Sequence, residues 1–161
     1  MTGRGGTARL PFFVYGTLRP GECNHAAHLA GRVAAEEPAL LRGAVLYDGP
    51  GYPYLVEDPG AGPVHGELVT ALPTAYDRLL VALDLLEEYV PGDPRNLYER
   101  VVRDVVRPGG AAVRAWVYVA APRVAAGLRS SGAVIGHGDW ASHRIGGQQL
   151  PPQSSTPAPP G

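Results

Sequence analysis

Apolar residues fall into several short runs along the chain, and only one longer stretch follows a helical period. Leu10-Pro11-Phe12-Phe13-Val14-Tyr15 is a short apolar run closed by Gly16, the pattern of a buried strand. A polar loop, Thr17–Glu22, leads to a short helix expected near Asn24–Ala30. Strands are expected around 40–47, 53–57 and 64–71. Residues 98–107 and 112–119 flank Pro108-Gly109-Gly110, a hairpin signal. The helical stretch begins near Pro73 and ends near Tyr89, with Tyr76, Leu79, Leu80, Leu83 and Leu86 as its apolar stripe. Proline suits a first helical turn, and Val90-Pro91-Gly92-Asp93-Pro94 cannot continue a helix. Strands, one helix and then more strands, without βαβ alternation, predict an α+β fold.

The helix carries the first chemical signal. At about 100° per residue, Glu87 falls between the directions of Tyr76 and Leu80, inside the apolar stripe. Glu88 points away, alongside Asp77, Val81 and Asp84, so one of two adjacent glutamates is expected buried and the other solvated. Burial disfavours the charged carboxylate and raises its pKa toward neutrality, as a general acid/base requires. The same position also allows an ion pair with Arg100, or an exposed carboxylate at the helix end.

Two further segments bear on a site. Tyr15-Gly16-Thr17-Leu18-Arg19-Pro20 ends the first strand; Gly16 permits a sharp turn, and successive N–H groups there suit a carboxylate. The same segment also reads as a plain connector. Tyr98–Val105 is strand-like and offers Arg100 as a substrate anchor, as the partner of Glu87 or as a solvated sheet residue. His25 and His28 stand three apart, but no third ligand lies close in sequence, so no metal site is expected. Cys23 beside His25 lacks an orienting third group, which makes it a bystander rather than a nucleophile.

Composition narrows the classes. The 161 residues suit one domain, expected over 10–144, with residues 1–9 and the Gly/Gln/Pro-rich stretch 145–161 as disordered tails. Net charge is −1, so nothing points to nucleic acid or a membrane surface as partner. All 14 basic residues are arginine, which excludes a lysine Schiff base and a P-loop lysine. A single cysteine excludes an intrachain disulfide. With no apolar leader at the N-terminus and no run of membrane-spanning length, a cytoplasmic location is expected.

Taken together, these residues resemble the gamma-glutamylcyclotransferase-like family, in its gamma-glutamylamine cyclotransferase or avirulence-induced-gene-2-like branch. The matching pieces are Phe13–Arg19 with Asn24-His25, His65–Leu68, Leu83–Glu87, Leu97–Arg100 and Ala115–Val119, with Gly138-Asp139-Trp140 near the end. The resemblance covers about residues 10–144 with the motifs in order. It implies a small mixed β-barrel flanked by a few helices. It implies Glu87 as catalytic acid/base and Tyr15, Gly16, Thr17, Leu18, Arg19, Pro20 and Tyr118 as substrate-binding residues, with Tyr98 and Arg100 in support. The implied reaction cyclises a γ-glutamyl group to 5-oxoproline and frees an amine or amino acid, with no metal or organic cofactor. The expected partner is a small γ-glutamyl substrate, and the chain is expected to be a monomer or homodimer. Two alternatives are a metabolite-binding module on the same fold and a hydrolase using Cys23 and His25. The insert Tyr89–Asn96 is longer than in eukaryotic relatives and is expected near the pocket entrance.

Overall fold

The computed structural model describes residues 9–19, 22, 25–49, 52–135 and 138–140. Pro20, Cys23, Asn24 and the expected tails, except Arg9, lie outside the described residues. Arg9 donates to the Pro73 carbonyl at 2.7 Å.

The chain runs β1 (Phe12–Val14), α1 (His25–His28), β2 (Val33–Leu41), β3 (Ala44–Tyr47), β4 (Tyr54–Glu57), β5 (Val64–Ala71), α2 (Tyr76–Leu86), β6 (Tyr98–Val106), β7 (Ala112–Ala120), α3 (Pro122–Ser131) and β8 (Val134–Ile135). Five strands close a barrel in the order β1-β5-β2-β6-β7, while β4-β3-β8 form a separate sheet. The fold is α+β, a small barrel flanked by helices. Among the described residues no helix is long and apolar enough to cross a membrane.

Period-two alternation divides the barrel strands between two cores. Phe13 and Tyr15 join Leu68, Val105, Ala115 and Val117 inside the barrel, and Trp140 packs with them. Phe12 and Val14 face outward, with Tyr98, Tyr118 and the α2 residues Tyr76, Leu79 and Leu83. The helix therefore lies against the outer face of β1, β6 and β7. Gly66 lets β1 lie close against β5: a Cβ there would stand 2.7 Å from the Phe13 ring and collide with the Val14 carbonyl oxygen.

Five elements differ from expectation. The strand expected over 40–47 is two strands, because Gly43 turns the chain at φ 69°. β2 starts earlier, at Val33, with mostly exposed or half-buried residues as far as Pro38 that give no alternation. α3 and β8 were not anticipated, although Pro122 opens α3 in its first turn and Gly132 caps it. The expected helix Pro73–Tyr89 is trimmed to Tyr76–Leu86. Its end is a Schellman motif, in which the N–H groups of Glu88 and Tyr89 bond the carbonyls of Leu85 and Asp84 at 3.1 and 2.8 Å. Glu88 occupies the left-handed position of that motif, with φ 55°.

Candidate active site

The outer-face packing brings the ends of four elements together. β1 ends beside the start of β6 and the end of β7, and the C-terminus of α2 points into the gap. A cavity of about 330 Å³ opens there. Its lining includes Tyr15, Gly16, Thr17 and Leu18 from the first turn, Glu87 and Glu88 from the helix end, and Tyr98 and Tyr118 from the hairpin.

Glu87 is the C-cap residue of α2 and is half-buried. Burial alone pushes its carboxyl up to about 7, because the charged form loses water without gaining a partner. Among the described residues no side chain donates to its carboxylate. The turn after β1 is closed by the Arg19 N–H, which bonds the Gly16 carbonyl at 3.1 Å. Gly16 is required by contact: a Cβ would stand 2.8 Å from Pro53 Cδ. Pro53 in turn holds the site from the other side, its carbonyl accepting the Tyr98 hydroxyl at 2.9 Å.

Two arginines expected at the site are engaged elsewhere. Arg19 lies outside this cavity and binds Glu67 at 2.6 Å and Asp139 at 2.7 Å, tying the turn to β5 and to the segment before Trp140. Arg100 pairs with Asp84, not with Glu87, through Nε at 2.8 Å and Nη2 at 3.2 Å. Alternation along β6 sends Tyr98 and Arg100 to the same outer face, where Arg100 meets the helix one turn before Glu87. Its guanidinium lies over the Trp116 ring at 4.3 Å and near Tyr89 at 5.4 Å.

Asp84 also departs from expectation. Instead of lying on a solvated face, it is covered by Arg100 and receives the Tyr118 hydroxyl at 2.6 Å. Glu88 is exposed but lines the cavity rim, because the left-handed turn ends the helical wheel at Glu87. His25 lies across from β2, with Nε2 2.6 Å from the Glu36 carboxylate. Pro20 and Cys23 fall outside the described residues.

Phe13, Val14, Tyr52, Pro53, Leu86 and Leu97 also line the cavity and had no assigned role. The run Gly51-Tyr52-Pro53-Tyr54 was the available signal, two aromatics within a Gly/Pro turn. The insert Tyr89–Asn96 is a built loop. Buried Asn96 accepts the Val90 N–H at 3.0 Å, and its amide donates to the Val90 carbonyl at 2.8 Å and to Glu99 at 3.2 Å. Glu88 and Leu97, which flank the insert, both reach the cavity.

The chain matches the family model described as Gamma-glutamyl cyclotransferase, AIG2-like, over residues 12–142. Gamma-L-glutamyl-butirosin B gamma-glutamyl cyclotransferase of Niallia circulans is 37% identical over 108 residues, 66% of this chain and 64% of that protein. A Halalkalibacterium halodurans protein is 48% identical over 58 residues, 35% of this chain and 49% of its own length. The chain thus spans less than two thirds of the length of these curated relatives. Among solved structures, an AIG2-like protein from Mus musculus shares the fold at TM-score 0.63 and 24% identity, over 91% of this chain and 97% of that one. YkqA from Bacillus subtilis superposes at TM-score 0.62 and 26% identity, over 87% of this chain and 42% of that one.

Proposed function

The chain belongs to the gamma-glutamyl cyclotransferase, AIG2-like family, and on that premise we propose that it closes a γ-glutamyl amide on itself, releasing 5-oxoproline and an amine. The observation that carries this reading is the placement of Glu87. Its carboxylate shares one cavity with the Tyr15–Leu18 turn and is raised by burial to about 7, where it can both take and return a proton.

In this reading the substrate's α-carboxylate docks on backbone N–H groups of the turn around Gly16 to Leu18, and its α-ammonium lies against Glu87. Glu87 accepts one ammonium proton. The freed nitrogen attacks the substrate's own γ-carbonyl carbon, and a five-membered ring forms. Attack is intramolecular, so the cavity's main task is to hold the folded conformer. The tetrahedral intermediate collapses as its bond to the departing nitrogen breaks and Glu87-H protonates that nitrogen. In total two protons pass from the attacking to the departing nitrogen, so charge and atoms balance with no redox step. In the same reading, turn N–H groups also stabilise the oxyanion.

The leaving amine is proposed from a relative: the name of the Niallia circulans protein points to a γ-glutamyl-protected amine. The test is a panel of γ-glutamyl amines and γ-glutamyl amino acids, with 5-oxoproline read by mass spectrometry. Turnover by wild type and a loss of about 10²–10⁴ in kcat for Glu87→Gln is the expected result. A folded Glu87→Gln variant with near-normal turnover overturns the role of Glu87.

A further inference from the structure

Three tyrosines come close enough to Glu87 to feel its charge. Tyr15 follows β1, Tyr98 opens β6 and Tyr118 lies on β7. Burial raises the pKa of each, and the Glu87 charge acts in the same direction. Each phenol has a single O–H, and none is given to Glu87. Tyr15 donates to the Tyr118 carbonyl at 2.5 Å, Tyr98 to the Pro53 carbonyl at 2.9 Å and Tyr118 to Asp84 Oδ1 at 2.6 Å. The donor direction is fixed by chemistry, since carbonyls and an arginine-bound carboxylate only accept.

Two of these acceptors belong to the backbone. The third, Asp84, is a side chain three residues before Glu87, so the two carboxylates are neighbours on one helix face. Arg100 fixes the Asp84 carboxylate with two N–H groups, and Tyr118 sits directly opposite Arg100 in the β6–β7 ladder. Tyr118 and Glu87 line the same cavity and the Glu87 charge reaches the phenol, so a Tyr118 hydroxyl deprived of Asp84 would have the Glu87 carboxylate as an acceptor within that cavity.

We propose that Asp84 is a positioning residue that holds the Tyr118 proton away from Glu87, leaving the Glu87 carboxylate without a donor until a substrate ammonium reaches it. A phenol donating to Glu87 would favour its charged form and weaken it as a base. The groups that bear on Glu87 are Tyr15 from the end of β1, Tyr98 and, through Asp84, Arg100 from β6, Tyr118 from β7 and Asp84 and Glu88 from its own helix; Tyr52, ahead of β4, lines the same cavity. The consequence for turnover rests on the cyclotransferase reading; the placement of the proton does not.

The test is therefore a titration before it is an assay. In protein labelled at glutamate carboxyl carbons, the Glu87 resonance is identified by its loss in Glu87→Gln and followed against pH by NMR. Wild type is expected to titrate at about 7. Asp84→Ala removes the acceptor together with a neighbouring negative charge and is expected to titrate lower, by about one unit or more; Asp84→Asn removes the charge but keeps an oxygen that accepts from Tyr118, and is expected to fall less. Tyr118→Phe is expected to leave the midpoint unmoved, and the Asp84→Ala/Tyr118→Phe double variant to titrate above Asp84→Ala, since it lacks the phenol that Asp84→Ala releases. A double variant that titrates together with Asp84→Ala overturns the proposal. So does a rise in Tyr118→Phe, a variant that leaves Asp84 and Arg100 intact, because it means that Tyr118 already donates to Glu87. In turnover the acid limb of kcat/KM is expected to follow the same midpoints. If no γ-glutamyl compound is turned over, the cyclotransferase reading fails while the titration still decides the proton's position.

Discussion

Glu87 lies three residues beyond Asp84 on α2, yet the two carboxylates have opposite surroundings. Asp84 receives two arginine N–H groups and a phenol, while no described side chain donates to Glu87. One helix end thus carries a fully engaged acid and an unengaged one, and the unengaged one faces the cavity.

The unengaged acid sets a pH dependence. As a base Glu87 must be ionised, so kcat/KM is expected to rise tenfold per pH unit below about 7 and level off above it. The acid limb should be missing from whatever activity Glu87→Gln retains. Initial rates from pH 5 to 9 check both.

Stability should move the other way. A folded pKa raised from 4.5 to about 7 means that the native state binds the proton more tightly than the unfolded chain. Stability is therefore unaffected below the unfolded value, falls as pH rises through the interval between the two, and stays reduced above the folded value. Glu87→Gln removes the effect and is expected to be more stable than wild type at pH 8 by about 1–3 kcal/mol, with little difference at pH 4. Urea melts at the two pH values measure it.

Gly16 is expected to tolerate no side chain. A Cβ 2.8 Å from Pro53 Cδ must push either the turn or Pro53, whose carbonyl holds Tyr98. Gly16→Ala is expected to be destabilised by about 1–3 kcal/mol, the usual range for overpacking. It should also raise KM at least several-fold. A variant with wild-type KM and melting temperature contradicts this account of the turn.

Glu88 occupies a position that favours glycine. A non-glycine residue in the left-handed region costs about 1–2 kcal/mol, partly offset by the extra freedom glycine has when unfolded. Glu88→Gly is expected to be the more stable protein by up to about 1 kcal/mol, and Glu88→Ala to gain nothing. Glu88→Gln should be nearly silent in turnover.

Asn96 closes the insert with three hydrogen bonds from a buried position. Asn96→Ala leaves the Val90 N–H and carbonyl without these partners and is expected to cost about 2–3 kcal/mol. Because Leu97 and Tyr98 follow directly and line the cavity, KM should rise with the loss of stability. Thermal melts and kinetics on one preparation test both.

What the sequence made legible was set by period. The 3.6-residue stripe of α2 placed Glu87 inward, and the Pro-Gly-Gly hairpin aligned β6 with β7, which brought Tyr98 and Tyr118 to one face. The stripe could not choose which carboxylate Arg100 would take. Asp84 and Glu87 differ by three residues, and the choice follows from how far along α2 the outer face of β6 reaches. β2 escaped notice for a related reason. Its first six residues, Val33 to Pro38, are exposed or half-buried, so burial left no pattern in them to read. Glu88 shows a third limit: a helical wheel holds only while the backbone stays helical, and Glu88, itself left-handed, leaves the direction the wheel expects and reaches the rim.

The barrel closes on its shortest strand. β1 has three residues and meets β7 through a single registered pair, Phe12 with Trp116, whereas β6 and β7 run together for nine. The acid and the cradle therefore ride on parts of unequal strength. Glu87 packs with the long hairpin, while the Tyr15–Leu18 turn hangs from a seam of a few backbone bonds. Amide exchange should find that seam parting long before the hairpin does, giving the cavity one firm jaw and one that can yield.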